Sequence, residues 1–293
     1  MDMKLSRRKF LTTITAGAAA VTLGGCHSNR LLTRSDDVEK EKKKKHILTL
    51  SFDDGFKKSS IKQAEIYEKH GFSACFNIIA IGHTKEFGGD WKQRGYPMGD
   101  YGLWNELRAR GHEIHPHGYS HEALDTRYNG GNRTPRPLGE AKDIVRRCLD
   151  MMTKNLKDYD PRKEAVYAFP YGATTPEVNA WLLTQVRAIR ARKKGSPRGP
   201  NPLPYKGMTH IGLYGRDYNK PRPTLEQLIN NAVDQLLTAD SGWQVICLHG
   251  IDGEAGTLFS SEYLDRLLGQ LSMIESVDVL PPIKAFEKFA STV

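Results

Sequence analysis

The chain has 293 residues, of which 39% are hydrophobic and 26% are charged, and its formal net charge is +9. This apolar content is enough for a hydrophobic core, so it excludes a wholly disordered chain, and the length suits one large α/β domain or two small ones. The charge does not indicate a nucleic-acid partner, because eleven Lys and Arg against five acidic residues in the first 45 positions account for most of it.

The N-terminal segment has the pattern of an export signal. Residues 6–11 (SRRKFL) contain a twin-arginine pair, and a short, mildly apolar stretch follows them up to Leu23. That stretch, about 14 residues, is shorter than the ~20 residues that a transmembrane helix needs. Residues 23–26 (LGGC) resemble the lipobox of bacterial lipoproteins, which implies cleavage before Cys26 and lipidation of its sulfur. An ordinary signal peptide with an incidental cysteine is the alternative.

The chain beyond Cys26 begins with a segment that has almost no apolar side chains. Residues 27–45 contain a lysine run, so we predict a solvated tether there and one folded domain over residues 46–293. The cysteines of this domain are widely spaced and lie in apolar contexts, so we expect buried free thiols rather than a disulfide framework. They are Cys75, Cys148 and Cys247.

From residue 46 onward, short β-branched runs alternate with segments of helical periodicity. Seven strands are predicted, within residues 46–54, 73–80, 112–121, 164–172, 186–192, 208–215 and 243–250. Helices are predicted within residues 59–71, 101–111, 138–156, 175–185, 224–239, 261–274 and 283–290. This alternation favours parallel strands wrapped by helices, as a barrel or an open sheet.

Polar clusters follow four of the predicted strands. They are DDG at 53–55, HPHGYSH at 115–121, FPYG at 169–172 and LHG at 248–250. In both barrels and open parallel sheets, functional residues lie at the carboxyl ends of the strands. We therefore expect the four clusters to lie together at one edge of the fold.

The composition of these clusters indicates a metal site. His117 and His121 are four residues apart, and if the chain turns helically after the strand, both imidazoles share one face. Histidines in a loop are more often solvated or packed, but the Asp53–Asp54 pair at another strand end favours a divalent cation. One aspartate would then bind the metal and the other would accept a proton from metal-bound water. His115 is expected to contact the substrate or to support a metal ligand.

The motifs SFDDG, HGYSH, FPYG and CLHG, in this order, resemble those of the polysaccharide deacetylases, the NodB-type domain of carbohydrate esterase family four. The resemblance covers essentially the whole predicted domain. It implies a distorted (β/α) barrel of about seven parallel strands. It also implies metal-dependent hydrolysis of an acetyl group on a sugar, with Zn²⁺ or another first-row divalent ion as the cofactor.

Carried over residue by residue, the resemblance implies a role for each motif. Asp53 would be the general base, His249 the general acid, and the backbone N–H of Tyr171 would stabilise the oxyanion. The implied metal ligands are Asp54, His117 and His121. The residues expected to line the substrate pocket are Pro170, Tyr171, Trp243 and Leu248. Core aromatic positions are the alternative for Tyr171 and Trp243.

The chain departs from the family pattern at two places. Ala168 occupies the position where the family often has an arginine that orients the base. Arg190, in the next predicted strand, could project into the same edge and substitute, or it could be a plain surface arginine. The family's aspartate–tryptophan motif is not evident, and Asp217 is the candidate partner of His249.

These features together predict an exported, lipid-anchored enzyme of the cell envelope that removes N-acetyl groups from a glycan. An O-acetyl esterase would use the same catalytic set. A glycan-binding envelope protein that keeps the fold without catalysis is the third hypothesis.

Overall fold

Strands and helices alternate in the computed structural model, which describes residues 45–88, 95–125, 136–191, 199–214, 224–256 and 259–290. The predicted signal peptide, the lipidation site Cys26 and the tether up to residue 44 lie outside these residues, as does Asp217. No helix in the described part of the chain is long and apolar enough to cross a membrane.

Eight strands lie within the described residues, and every strand pairing is parallel. They are β1 (Lys45–Phe52), β2 (Cys75–Ile78), β3 (Glu113–Pro116), β4 (Val166–Ala168), β5 (Ala188–Ala191), β6 (His210–Gly212), β7 (Ser241–Leu248) and β8 (Val277–Val279). One sheet has the order β3-β2-β1-β7, with β8 also paired to β1, and the other has the order β4-β5-β6.

The predicted α/β fold with parallel strands is confirmed, and each of the seven predicted strands corresponds to one of β1–β7. β8 was not predicted, because its three residues are too few to show a period between two amphipathic helices. The strands form two sheets instead of one continuous barrel ladder. Hydrogen bonds from side chains and isolated backbone groups join the sheets at two seams.

The first seam lies between β3 and β4. Two histidines bridge it. The Nδ1 atom of His115 accepts the backbone N–H of Val166 at 3.3 Å, and the Nδ1–H of His117 donates to the carbonyl of Ala168 at 2.7 Å. The second sheet is therefore attached to the first by two histidines of the HPHGYSH cluster.

The second seam lies between β6 and β7, and Asn201 bridges it. Its side-chain amide donates to the carbonyls of Gly212 (2.9 Å) and Trp243 (3.1 Å), and it accepts the N–H of Gly212 at 2.9 Å. The N–H of Tyr214 also donates to the carbonyl of Val245 at 2.9 Å. Asn201 thus satisfies backbone groups at the edges of both sheets.

The helices are α1 (Lys57–Lys69), α2 (Tyr101–Ala109), α3 (Leu138–Asn155), α4 (Pro161–Glu164), α5 (Pro176–Leu182), α6 (Leu225–Thr238), α7 (Ser261–Leu271) and α8 (Pro282–Ala290). Side-chain caps begin several of them: Asp100 accepts the N–H of Leu103, and Thr224 forms a capping box with Gln227. Seven were predicted; the exception is α4, which has only four residues.

Strand β1 lies in the centre of the first sheet and brings the two aspartates to its edge. All of its residues after Lys45 are buried, as expected for a parallel strand covered on both faces. The strand ends at Phe52, so Asp53 and Asp54 emerge at the carboxyl edge, where the N–H of Asp53 still donates to the carbonyl of Leu248 on β7.

Candidate active site

The structure brings the polar clusters from distant parts of the sequence together at the carboxyl ends of the strands. Asp53 and Asp54 follow β1, His117 follows β3, and His249 follows β7. Arg190 lies within β5 and extends across to Asp53. Parallel topology is the cause, because it places every carboxyl end on one edge.

Three residues of the polar clusters have left-handed backbone conformations, which residues other than glycine rarely adopt. The φ angles are +76° for Asp54, +66° for His121 and +60° for Tyr171. Such conformations cost about 1–3 kcal/mol each and cluster at functional sites. Gly55 follows Asp54 with φ +83°, and a Cβ there would lie 3.0 Å from the Trp104 ring, so this tight turn requires glycine.

Asp53 is held by four hydrogen-bond donors. The guanidinium of Arg190 binds both carboxylate oxygens, at 2.7 Å to Oδ1 and 2.6 Å to Oδ2. Asn77 donates to Oδ1 at 2.8 Å, and the thiol of Cys247 donates to Oδ2 at 3.1 Å. We call Asp53, Arg190, Asn77 and Cys247 the Asp53 side of the site.

The charge of Asp53 is compensated within the protein. Burial alone would raise its pKa, but the Arg190 guanidinium and the His117 imidazole outweigh burial and hold the pKa below its usual value. Arg190 is itself only 2% exposed, and a buried bidentate pair of this kind fixes the orientation of the carboxylate. Asp53 is therefore ionised, and its carboxylate is held in one orientation.

Arg190 reaches Asp53 from the strand next to the one where the resemblance places an arginine. In the parallel register of β4 and β5, Ala168 pairs directly with Arg190. Paired residues of neighbouring strands project to the same side of a sheet. The guanidinium therefore comes from the same part of the sheet, although it lies 22 positions later in the sequence.

Asp54 has a different environment. Its Oδ1 atom lies 3.5 Å from Nε2 of His117 and 3.4 Å from Nε2 of His121. This oxygen is buried and has no hydrogen-bond partner among the described residues. We call Asp54, His117 and His121 the Asp54 side of the site. Their ligand atoms form one of two groups that could hold a metal ion in the described part of the chain.

The residues of the Asp54 side fit a divalent metal ion. In a tetrahedral zinc site with ligand bonds of about 2.1 Å, ligand atoms lie about 3.4 Å apart, which matches the separations from Asp54. Because a carbonyl can only accept, the bond to Ala168 requires a proton on Nδ1 of His117, so a neutral His117 would bind a cation through Nε2, which faces Asp54. A cation between these atoms would satisfy the unpaired Oδ1 atom.

His121 is supported by Tyr171. The phenol oxygen lies 3.1 Å from Nδ1 of His121, and the two ring centres are 4.7 Å apart. Burial and the neighbouring His117 lower the pKa of His121 to about 4, which favours the neutral imidazole that metals bind. Tyr171 is 48% exposed, so its ring also forms part of the open wall of the site.

His249 lies at the open side of the centre. Its Nε2 atom is 4.0 Å from Oδ2 of Asp54, and 43% of its side chain is exposed. The backbone carbonyl of His249 accepts a hydrogen bond from Gln63 on α1, which holds the loop. Asp217, the predicted partner of His249, lies outside the described residues.

Two residues predicted to contact the substrate lie in the protein interior instead. Trp243 packs near the start of β7, beside Ile47, and its indole N–H donates to Thr49. Trp243 lies near the start of β7 and is fully buried, so it is a core residue, which was the alternative to a place in the substrate pocket. His115 is 1% exposed, and its Nε2 contacts Glu113 while Nδ1 binds at the first seam. Both ring nitrogens have partners within the protein, so the prediction that it contacts substrate is wrong, while the alternative, that it supports a metal ligand, stays a prediction.

Pro170 and Leu248 lie beside the centre but are buried. A Cβ on Gly118, whose φ is +82°, would lie 3.0 Å from the Pro170 ring, so the proline packs directly on the loop that carries the histidines. Leu248 binds the backbone of Asp53 through its carbonyl. Through these contacts, Pro170 supports the loop that carries the histidines and Leu248 supports the backbone of Asp53. Their predicted contact with substrate stays a prediction.

Two residues of the Asp53 side lie outside the motifs that the sequence shows. Asn77 is a polar residue in the apolar run of β2, and its amide also donates to Ser51 at 2.8 Å. Cys247 was expected to be an isolated buried thiol, but it is only partly buried and contacts Asp53. A signal was available for Cys247, because it precedes His249 by two positions and strand residues two apart share a face.

With this geometry established, the family assignment follows from the sequence. The family model described as "Polysaccharide deacetylase" matches residues 40–187, half of the chain. The chain therefore belongs to the polysaccharide deacetylase family of hydrolases. Members of this family act on acetylated glycans and depend on a metal ion. The matched region includes the Asp53–Asp54 pair, both histidines of the Asp54 side and Tyr171, but ends before Arg190 and His249.

Solved structures share the fold at low sequence identity. A putative polysaccharide deacetylase from Mycobacterium smegmatis has a TM-score of 0.56 at 12% identity, covering 84% of this chain and 90% of that one. A family 4 acetyl xylan esterase from Clostridium thermocellum, solved with a cobalt ion, has a TM-score of 0.52 at 14% identity, with coverages of 83% and 91%. The Bc1960 peptidoglycan N-acetylglucosamine deacetylase has a TM-score of 0.52 at 15% identity, with coverages of 84% and 94%.

These likenesses show the fold of the chain. No curated protein matches the sequence.

Proposed function

We propose that this chain is a metal-dependent deacetylase that hydrolyses N-acetyl groups on a polysaccharide or oligosaccharide. One observation carries the proposal. Two consecutive buried aspartates have different surroundings. Asp53 accepts hydrogen bonds from four donors, whereas Oδ1 of Asp54 faces two imidazole nitrogens and has no hydrogen-bond partner among the described residues. This difference supports the proposal because it separates a carboxylate that is already held by donors of the protein from one that is available to bind a cation.

Asp54, His117 and His121 would hold the divalent ion, and zinc suits a donor set of two imidazoles and one carboxylate. Such an ion supplies Lewis-acid polarisation of the acetyl carbonyl and lowers the pKa of water. The Nδ1 atoms of the two histidines already have partners that orient the rings. The Ala168 carbonyl orients His117, and the Tyr171 phenol orients His121.

The remaining steps fall to residues of the chain itself. Asp53 accepts the proton of the attacking water, while Arg190 keeps the carboxylate in place. His249 donates a proton to the departing amine, and its exposure on the open side of the centre gives it access to the leaving group. The backbone N–H of Tyr171 stabilises the oxyanion. The left-handed conformation of Tyr171 is consistent with a backbone held for this purpose.

The proposal is tested by measuring acetate release from chitooligosaccharides, peptidoglycan and acetylated xylan with the purified protein. We expect release from an N-acetylated substrate and none from the Asp53→Asn variant. Release from acetylated xylan alone would instead support the O-acetyl esterase hypothesis. No release from any substrate by the metal-loaded protein would support a glycan-binding protein.

We also propose that the chain is exported by the twin-arginine route and anchored to the cell envelope through a lipid on Cys26. Support comes from the sequence alone, from the arginine pair at Arg7 and Arg8 and the LGGC motif. Cell fractionation tests this: wild-type protein should sediment with membranes, and Cys26→Ser should move it to the soluble fraction. Equal membrane association of both proteins would contradict a lipid anchor.

A further inference from the structure

The thiol of Cys247 occupies a position that the proposed mechanism needs to be open. An ionised carboxylate offers about four lone-pair sites, and Asp53 receives four donors. Two of them bind Oδ1 and two bind Oδ2. In this arrangement Asp53 has no site left at which to accept a proton from water, so one donor has to leave.

Oδ2 is the oxygen nearest the Asp54 side. It lies 3.7 Å from Nε2 of His117. Oδ1 instead lies toward the interior, where Asn77 and Arg190 both also bind the hydroxyl of Ser51. A water molecule attacking an acetyl group near the metal ligands would therefore approach Asp53 at Oδ2.

Of the two donors on Oδ2, the thiol is the weaker. Arg190 donates a charge-assisted bond at 2.6 Å as part of a bidentate pair. Cys247 donates at 3.1 Å, and S–H groups are weak donors. Burial and the adjacent Asp53 carboxylate raise the pKa of Cys247, so the sulfur keeps its proton and can act as a donor.

We propose that Cys247 is a positioning residue that holds the proton-accepting position of Asp53, and that the attacking water must displace its thiol from Oδ2. This inference rests on the proposed deacetylase function. In the step itself, a water O–H bond breaks and its proton binds Oδ2. The water oxygen bonds to the acetyl carbon, and the carbonyl π bond breaks, so that its electron pair becomes the oxyanion on the carbonyl oxygen. The thiol keeps its proton and loses only its hydrogen bond.

Two variants of opposite effect test the displacement. Cys247→Ala removes the competing donor, so kcat should rise about two- to tenfold, the factor equivalent to one net hydrogen bond. Cys247→Ser replaces the thiol with a stronger donor and should lower kcat. In both variants KM and metal content should stay as in wild type. A residue that serves only to pack the site would give the reverse order, with the alanine variant the slower one, and that result would overturn the proposal.

Infrared spectroscopy of the wild-type protein tests the contact without any turnover. The S–H stretching band that disappears in Cys247→Ala should lie at the low frequency of a hydrogen-bonded thiol. A band at the frequency of a free thiol would overturn the proposal whatever the activity. If the wild type releases no acetate while the band is shifted, the deacetylase function fails, and the displacement step fails with it, although the thiol contact with Asp53 stands.

Discussion

Asp53 and Asp54 are consecutive and almost equally buried, at 4% and 2% exposure, yet their surroundings differ in kind. On the Asp53 side the protein provides a guanidinium, an amide and a thiol, all of them donors. On the Asp54 side it provides two imidazole Nε2 atoms, which face a carboxylate oxygen that has no hydrogen-bond partner among the described residues. Adjacent carboxylates are costly to bury together. The fold lowers this cost by compensating Asp53 internally, and under the proposed function an external cation compensates Asp54.

The largest expected effect comes from removing Asp54. In Asp54→Ala the metal content should fall well below one ion per chain and acetate release should be lost, because the two histidines lose the carboxylate that completes the set. Elemental analysis and an acetate assay measure both. Asp158→Ala is the matched control, since Asp158 is an exposed aspartate that also has a positive φ. Full metal content in Asp54→Ala would show that Asp54 is not a metal ligand.

The second variant tests the other side. Asp53→Asn keeps the shape of the side chain but not its basicity, so kcat should fall about 10²- to 10⁴-fold, the usual contribution of a general base. The metal content should remain that of wild type. Loss of the metal together with activity would mean that Asp53 is a ligand and that the division between the aspartates is wrong.

The third variant removes the positively charged side chain of Arg190, the buried charge partner of Asp53. Arg190→Met leaves Asp53 as a buried carboxylate without its charge partner, which should lower the free energy of unfolding by about 3–5 kcal/mol. Urea denaturation measures this loss. The double variant Arg190→Met/Asp53→Asn should recover part of the stability, because no charge is left unpaired. If the double variant is as unstable as the single one, Arg190 stabilises the fold by packing alone.

The smallest effect is expected at Tyr171. In Tyr171→Phe, His121 loses the contact of its Nδ1 atom, and metal affinity should fall about tenfold, at the low end of the effect of a supporting contact. Competition with a coloured chelator measures this affinity. His117 is the internal comparison, since its supporting partner is a backbone carbonyl that no side-chain substitution removes. Unchanged affinity would mean that the phenol does not orient His121.

The sequence was sufficient to predict the described strands and helices except the short β8 and α4. It also predicted the meeting of the polar clusters, because strand ends in a parallel fold share one edge. It could not predict how deep along a strand a side chain lies. Trp243 and His115 belong to strands that lead into the site, but both lie in the core, and only the strand register shows this. Asn77 and Cys247 were not predicted for a related reason: each lies within a mainly apolar strand, and its partner Asp53 follows a different strand.

The pairing of Ala168 with Arg190 has a consequence for how such enzymes are recognised. A linear pattern that demands an arginine shortly before the FPYG motif would reject this chain. A pattern written across the sheet, which accepts the guanidinium from either of two adjoining strands, would keep it. An engineer could in principle exchange the two residues, placing arginine at 168 and alanine at 190, and deliver the same group to Asp53 from the other strand. In this chain, the position of the guanidinium is therefore defined by its place on the sheet and not by its distance in sequence from the FPYG motif.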